Sequence, residues 1–102
     1  MLGTTFSLFA QYKSVNQEAG SGVQKYYPNP ATSIINFELT KTADKQGILQ
    51  VYNFMGRKVY EAVPRIQLFS VSLEGFYRGV YIYQLRNRYG KIIDSGKFQV
   101  IK

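Results

Sequence analysis

Apolar and polar side chains alternate with a period of two in several short segments of this chain, and that alternation limits it to extended structure. In "SIINFELT", Ile35, Phe37 and Leu39 fall on one side and Ile34, Asn36 and Glu38 on the other. Only a strand with one buried face turns such alternation into packing. "ILQVYNF" (48–54) predicts a second strand with Leu49 and Val51 inward, and a turn at Gly56 leads into "RKVYEAV" (57–63), its hairpin partner, which Pro64 ends. "IQLFSVSL" (66–73) predicts a fourth strand that buries Gln67, Phe69, Val71 and Leu73. "VYIYQLRN" (80–87) predicts a fifth with Tyr81, Tyr83 and Leu85 on the core face, and "RYGK" turns the chain back. "IIDSGKFQVIK" (92–102) reads as one long strand or as two segments broken by a bulge at Gly96. No stretch carries a 3.6-residue apolar repeat over a dozen residues. A strand every ~10–13 residues, separated by polar turns, predicts a small antiparallel sandwich over residues 26–102.

Gly79 stands two residues ahead of Tyr81 after the loop "EGFYRG". In immunoglobulin-like domains a tyrosine so placed bonds through its hydroxyl to upstream backbone. The expected class is therefore all-β, an immunoglobulin-like sandwich of about seven strands.

Composition removes whole classes of chemistry. The chain has 102 residues, no cysteine and no histidine, which excludes disulfides, thiolate zinc sites, cysteine nucleophiles and histidine-based triads or metal clusters. Glu18, Glu38, Asp44, Glu61, Glu74 and Asp94 are scattered singly, with no spacing that suggests a glycosidase-like pair. The chain reads as a non-enzyme without cofactor or metal. Net charge is +7 with 16% aromatic residues, the balance of a single-strand nucleic-acid binder. The basic residues are nevertheless spread along the chain; Arg86, Arg88 and Lys91 belong to one hairpin tip, and no aromatic cluster accompanies them. This argues against a nucleic-acid partner and for tyrosines and phenylalanines used in packing.

The first ten residues, "MLGTTFSLFA", resemble the tail of a secretory signal, although they lack a charged start and are too short to span a bilayer; a leader remnant and a plain N-terminal extension both fit. Residues 11–25 include "AGSG", a linker composition, so order is expected from about Tyr26. "YYPNPA" follows. Pro28 and Pro30 hold Tyr27 and Asn29 extended, and Asn29 and Ser33 can bond to nearby backbone.

Four elements now stand in order: "YPNP", "YNFMGRKV", "LEGFYRGVYIY" and a closing "GKFQVIK". Together they resemble the type A C-terminal sorting domain family of the type IX secretion system of Bacteroidetes, over about Tyr26 to Lys102. Each motif alone is common; their order and spacing are more specific. The resemblance implies an immunoglobulin-like sandwich that directs an exported protein through the periplasm to the cell surface or medium. The implied partners are an outer-membrane translocon and a sortase-like protease that removes the domain. On this chain the entry motif falls on Pro28, Asn29 and Pro30, and the central turn on Gly56 and Arg57 with Val59. The G-x-Y motif falls on Gly79 and Tyr81, and the closing basic strand on Lys97, Val100 and Lys102. Cleavage is expected across Ala19, Gly20, Ser21, Gly22 and Val23. In this reading the two prolines fix how the module leaves its leader.

Only about fifteen residues separate the signal-like segment from the motif, where family members carry a cargo. A stand-alone secreted sandwich is the alternative. It would bind carbohydrate through exposed tyrosines such as Tyr77 or Tyr89, bind nucleic acid, or assemble through strand edges. Oligomeric state is not legible. Each motif residue also has a plain structural reading: prolines as turn punctuation, glycines as backbone requirements, Tyr81 as a packed corner, and Lys97 and Lys102 as solvated edge charges.

Overall fold

The computed structural model describes residues 22–102. Seven strands follow in order: β1 (Val23–Tyr27), β2 (Ile34–Leu39), β3 (Ile48–Asn53), β4 (Lys58–Ala62), β5 (Leu68–Ser72), β6 (Gly79–Arg86) and β7 (Ile92–Val100). They form two antiparallel sheets, β1-β2-β5 and β4-β3-β6-β7. The all-β sandwich expected from the alternation is the fold observed. Most of the expected inward set is buried: Ile35, Phe37, Leu39, Leu49, Val51, Val71, Leu73, Tyr81, Tyr83 and Leu85. The fourth alternation fails at its start: Gln67 is exposed and Phe69 only half-buried, because β5 begins at Leu68 and Gln67 bonds to Leu39 at the sheet's end.

Aromatic rings fill the space between the sheets. Phe37 sits edge-on to Tyr83 with centroids 5.0 Å apart, and Tyr26 approaches Tyr83 at 4.9 Å. Phe98 joins Phe37 to Tyr81, which lies 5.8 Å away and nearly parallel. Edge-to-face and offset pairs at these distances suit the ring quadrupoles and add to the area term. Burial also pushes the Tyr83 hydroxyl far above the ordinary tyrosine range.

Two features depart from the sequence expectations. The first strand starts at Val23, so the segment 23–25 belongs to the sandwich and not to a linker. Its period was masked because Gln24 is an extra residue in the pairing with β2, so that only Val23 and Tyr26 turn toward the core. The irregularity in β7 lies at Ile93, which has no partner between the pairs Arg86–Ile92 and Leu85–Asp94. β7 is thus one continuous strand, and Gly96 sits in regular register opposite Tyr83. Glycine is needed there for space: a Cβ would meet the Tyr83 ring at 2.7 Å. Gly96→Ala must displace a buried ring, so a loss of about 1–3 kcal/mol is expected in denaturant melts. An unchanged midpoint would show that the ring shifts freely.

Candidate functional site

The proline corner acts on the far end of the chain. Both X–Pro bonds, Tyr27–Pro28 and Asn29–Pro30, are cis. Beyond them the segment closes the free edge of β7. The Tyr26 hydroxyl donates to the carbonyl of Lys97 at 3.0 Å, and Asn29 Oδ1 accepts from the N–H of Gln99 at 2.9 Å. Ala31 then pairs in parallel with the strand: its N–H donates to the Gln99 carbonyl at 2.8 Å, and its carbonyl accepts from Ile101 N–H at 2.9 Å. An edge strand left open would offer these groups to another chain. The local backbone bond expected of Asn29 is instead a bond across 70 residues of sequence.

On the other side of β7, Gly79 pairs with Val100. Gly79 has φ +152° and Gly56 φ +85°, and added Cβ atoms there would meet nothing. Backbone conformation, not crowding, therefore calls for glycine at both positions. The Tyr81 hydroxyl donates to the Tyr77 carbonyl at 2.7 Å, the corner bond anticipated from the G-x-Y spacing. The β3–β4 turn is set by Asn53, whose Oδ1 accepts from the N–H groups of Met55 and Arg57. Such an Asx turn satisfies backbone donors that the tight loop would otherwise leave open.

Strand registers gather these pieces. Asn53 pairs with Tyr81, Tyr81 with Phe98, and Gly79 with Val100, while Lys102 Nζ donates to the Leu73 carbonyl just beyond β5. Pro28, Asn29, Pro30, Gly56, Arg57, Gly79, Tyr81, Val100 and Lys102 thus share one end of the sandwich; Lys97 lies three residues up β7, facing outward beside Ile82. A shallow cleft of about 310 Å³ joins Arg57 to Gly75, Tyr77 and Tyr81, and another of about 220 Å³ joins Asn29 to Lys97 and Gln99. The Arg57 guanidinium has no carboxylate partner among the described residues. Phe54 and Met55 project from the turn, each 74% exposed, and Tyr77 is 84% exposed. The sequence reading missed Ala31, Asn53, Arg78 and Gln99. Arg78 Nη2 donates to a main-chain oxygen of Lys102. An Asn ahead of a glycine turn marks Asn53; the other three have no sequence signal, because their roles come from pairing across the fold.

The opposite end holds the chain's entry. Gly22 exchanges bonds with Thr40, its N–H donating to Oγ1 and its carbonyl accepting from Thr40 N–H. Val23 N–H donates to Asp94 Oδ2 at 2.8 Å inside the protein, and Ser95 N–H to Oδ1. Of the expected cleavage region, Ala19, Gly20 and Ser21 lie outside the described residues, whereas Gly22 and Val23 are buried. A protease that binds an extended substrate cannot reach those two while β1 is docked. At this end Asp44 accepts two side-chain bonds from Arg88 and main-chain bonds from Arg88 and Gln46. The guanidinium holds the Asp44 carboxyl well below the usual carboxylate range. A depressed folded-state value means that the stabilisation is present above the unfolded value of about 3.9 and fades as pH falls through the folded one. Carbon-detected NMR is expected to find Asp44 ionised at about pH 3, and Arg88→Gln to return its titration toward the unfolded value.

Among the described residues, the two most exposed tyrosines share no platform. Tyr77 and Tyr89, each more than 80% exposed, lie beyond opposite ends of β6, roughly 26 Å apart along an eight-residue strand. No helix of the described residues is long and apolar enough to cross a membrane.

Comparison with known proteins completes the picture. The profile described as the secretion system C-terminal sorting domain matches residues 25–100. Among solved structures the chain is similar to PorZ, a surface component of the type IX secretion system of Porphyromonas gingivalis. That likeness has a TM-score of 0.61 at 18% identity and covers 85% of this chain and 13% of that one. No curated protein matches the chain. Matched over nearly the whole of its described sandwich, the chain belongs to the secretion system C-terminal sorting domain family, the type IX family that its motifs resemble.

Proposed function

We propose that the sorting signal of this domain is the end of the sandwich where Pro28–Pro30, Gly56–Arg57, Gly79–Tyr81 and Val100–Lys102 converge, and that the outer-membrane translocon of the type IX system docks there. The observation that carries this reading is the convergence itself: motifs spread over the whole domain meet on one surface, away from the entry of the chain. Exposed Phe54, Met55 and Tyr77, with Arg57 and Glu74 in the adjoining cleft, supply an apolar patch edged by charges of both signs, suited to a protein partner. The domain works by binding and carries no catalysis of its own. It passes through the periplasm folded, and a sortase-like protease cuts ahead of Gly22, since Gly22 and Val23 are themselves held by Thr40 and Asp94. Lys97 and Lys102 contribute charge on the flank of this surface. Lys102 also has a structural role through Leu73.

The test is a fusion of residues 20–102 to a periplasmic reporter, expressed in a Bacteroidetes strain with an intact type IX system and in one lacking it. Surface or medium reporter in the intact strain alone is expected. Arg57→Gln with Phe54→Ser is expected to lower export several-fold while leaving the melting temperature in place, since both side chains are exposed. Export that ignores these changes and responds to substitutions at the entry end would overturn the assignment of the surface.

A further inference from the structure

Most cations of the described chain are engaged. Lys58 pairs with Glu61 and Arg88 with Asp44. Arg86 bonds to Gln50, Gln84 and the Gly90 carbonyl, Arg78 and Lys102 bond to main-chain oxygens, and Lys25 lies over the Tyr27 ring. In the described chain Arg57 stands alone at the motif end, whereas Lys41, Lys45 and Arg65 stand together. Among the described residues none of the three has an ion pair or a side-chain hydrogen bond. All three line one cleft of about 220 Å³, between the β2–β3 and β4–β5 loops at the entry end of the sandwich.

No carboxylate lines this cleft. The nearest in sequence, Asp44, has its oxygens committed to Arg88 and to main-chain N–H groups. Three like charges held around one hollow repel one another, and a concave, partly apolar wall concentrates their field. The floor is firm: the Leu39 N–H donates to the Gln67 carbonyl at 2.7 Å, and Gln67 Nε2 returns a bond to the Leu39 carbonyl. Buried Pro64 backs the wall. A planar guanidinium beside two ammonium groups suits a compact anion of more than one charge, because the fork takes two oxygens and the lysines neutralise the rest. A phosphate group carries about −1.5 to −2 at neutral pH and has three acceptor oxygens. Aromatic side chains are absent from the lining, so nothing there would stack a base. Ile66, 66% exposed on the rim, offers contact to an apolar body attached to the anion.

We propose that the cleft of Lys41, Lys45 and Arg65 binds a phosphate group, either as the free ion or on a lipid headgroup. It is separate from the sorting surface, and the two readings stand or fall independently. The test uses the full chain in two arms at constant ionic strength. In the first, amide resonances are followed as inorganic phosphate replaces chloride. In the second, the protein is sedimented with phosphatidylcholine vesicles, with and without phosphatidic acid, whose headgroup is a phosphate monoester. Saturable shifts confined to residues 39–46 and 64–67 are expected in the first arm if the free ion binds. Sedimentation that requires phosphatidic acid, without response to the free ion, assigns the headgroup. In whichever arm binds, the triple variant K41Q/K45Q/R65Q is expected to weaken binding at least ten-fold. The control K25Q/K58Q/K91Q, which removes the same charge elsewhere, is expected to leave it within two-fold. Equal weakening in both triples would reduce the effect to net charge, and absence of binding in both arms would eliminate the site.

Discussion

Phe37→Ala is expected to be the most damaging single truncation in this domain. The ring is fully buried and touches Tyr26, Tyr83 and Phe98, so it ties both sheets together. Emptying such a position removes the transfer energy of the ring and leaves a cavity that rigid aromatic neighbours fill poorly, a loss of about 3–5 kcal/mol. Set against a total of about 5–15 kcal/mol for domains in general, this brings the protein to the margin of folding. The melting temperature is expected to fall by at least about 12 °C, at 4–8 °C per kcal/mol for a domain of this size. Calorimetry on the two proteins decides it. A loss below about 1 kcal/mol would mean that the aromatic cluster is not the centre of the core. Phe37→Leu, which keeps much of the volume, should recover part of the difference.

Asp94→Ala is the second large effect, with a different signature. Asp94 is 2% exposed on the inner face, a carboxylate placed among apolar side chains. There it accepts from Val23 and Ser95 N–H groups. Removing it leaves the Val23 donor buried without its acceptor, at a cost of about 2–3 kcal/mol. The loss is expected to fall first on β1, since an edge strand with one fully buried side chain can open by itself. Hydrogen exchange at residues 23–27 should accelerate more than in β3 or β6, and limited proteolysis should begin to cut after Gly22. Asp94→Asn keeps an acceptor oxygen and should lie between the two. Uniform acceleration across all strands would show that β1 does not open separately.

The alternation of Ile35–Leu39 and Tyr81–Leu85 made the sheets legible because it depends on nothing beyond the strand's own period. β1 was not legible: Gln24 breaks its phase, and its docking rests on Asp94, 71 residues away. The same holds for the bulge at Ile93, which turns both Ile93 and Asp94 inward. Motif residues could be named from order and spacing, and Tyr81 even carried its own bond prediction. That they meet at one end could not be read, because Asn29 finds Gln99 and Lys102 finds Leu73 only after the sheets pair. The Lys41–Lys45–Arg65 cleft is likewise a product of two loops brought side by side.

The placement of chain entry and motif surface at opposite ends has a mechanical consequence. In the proposed docking, a pull between a cargo ahead of Gly22 and a receptor gripping Val100–Lys102 at the end of β7 would run along the strand axes. β1 is hydrogen-bonded to β2 along its length, and the Ala31 clamp lies parallel to β7. Load in that direction shears the ladder, so its hydrogen bonds share the force and none is peeled off in turn. In the proposed role the domain would be dragged by its ends, the direction in which paired strands resist best.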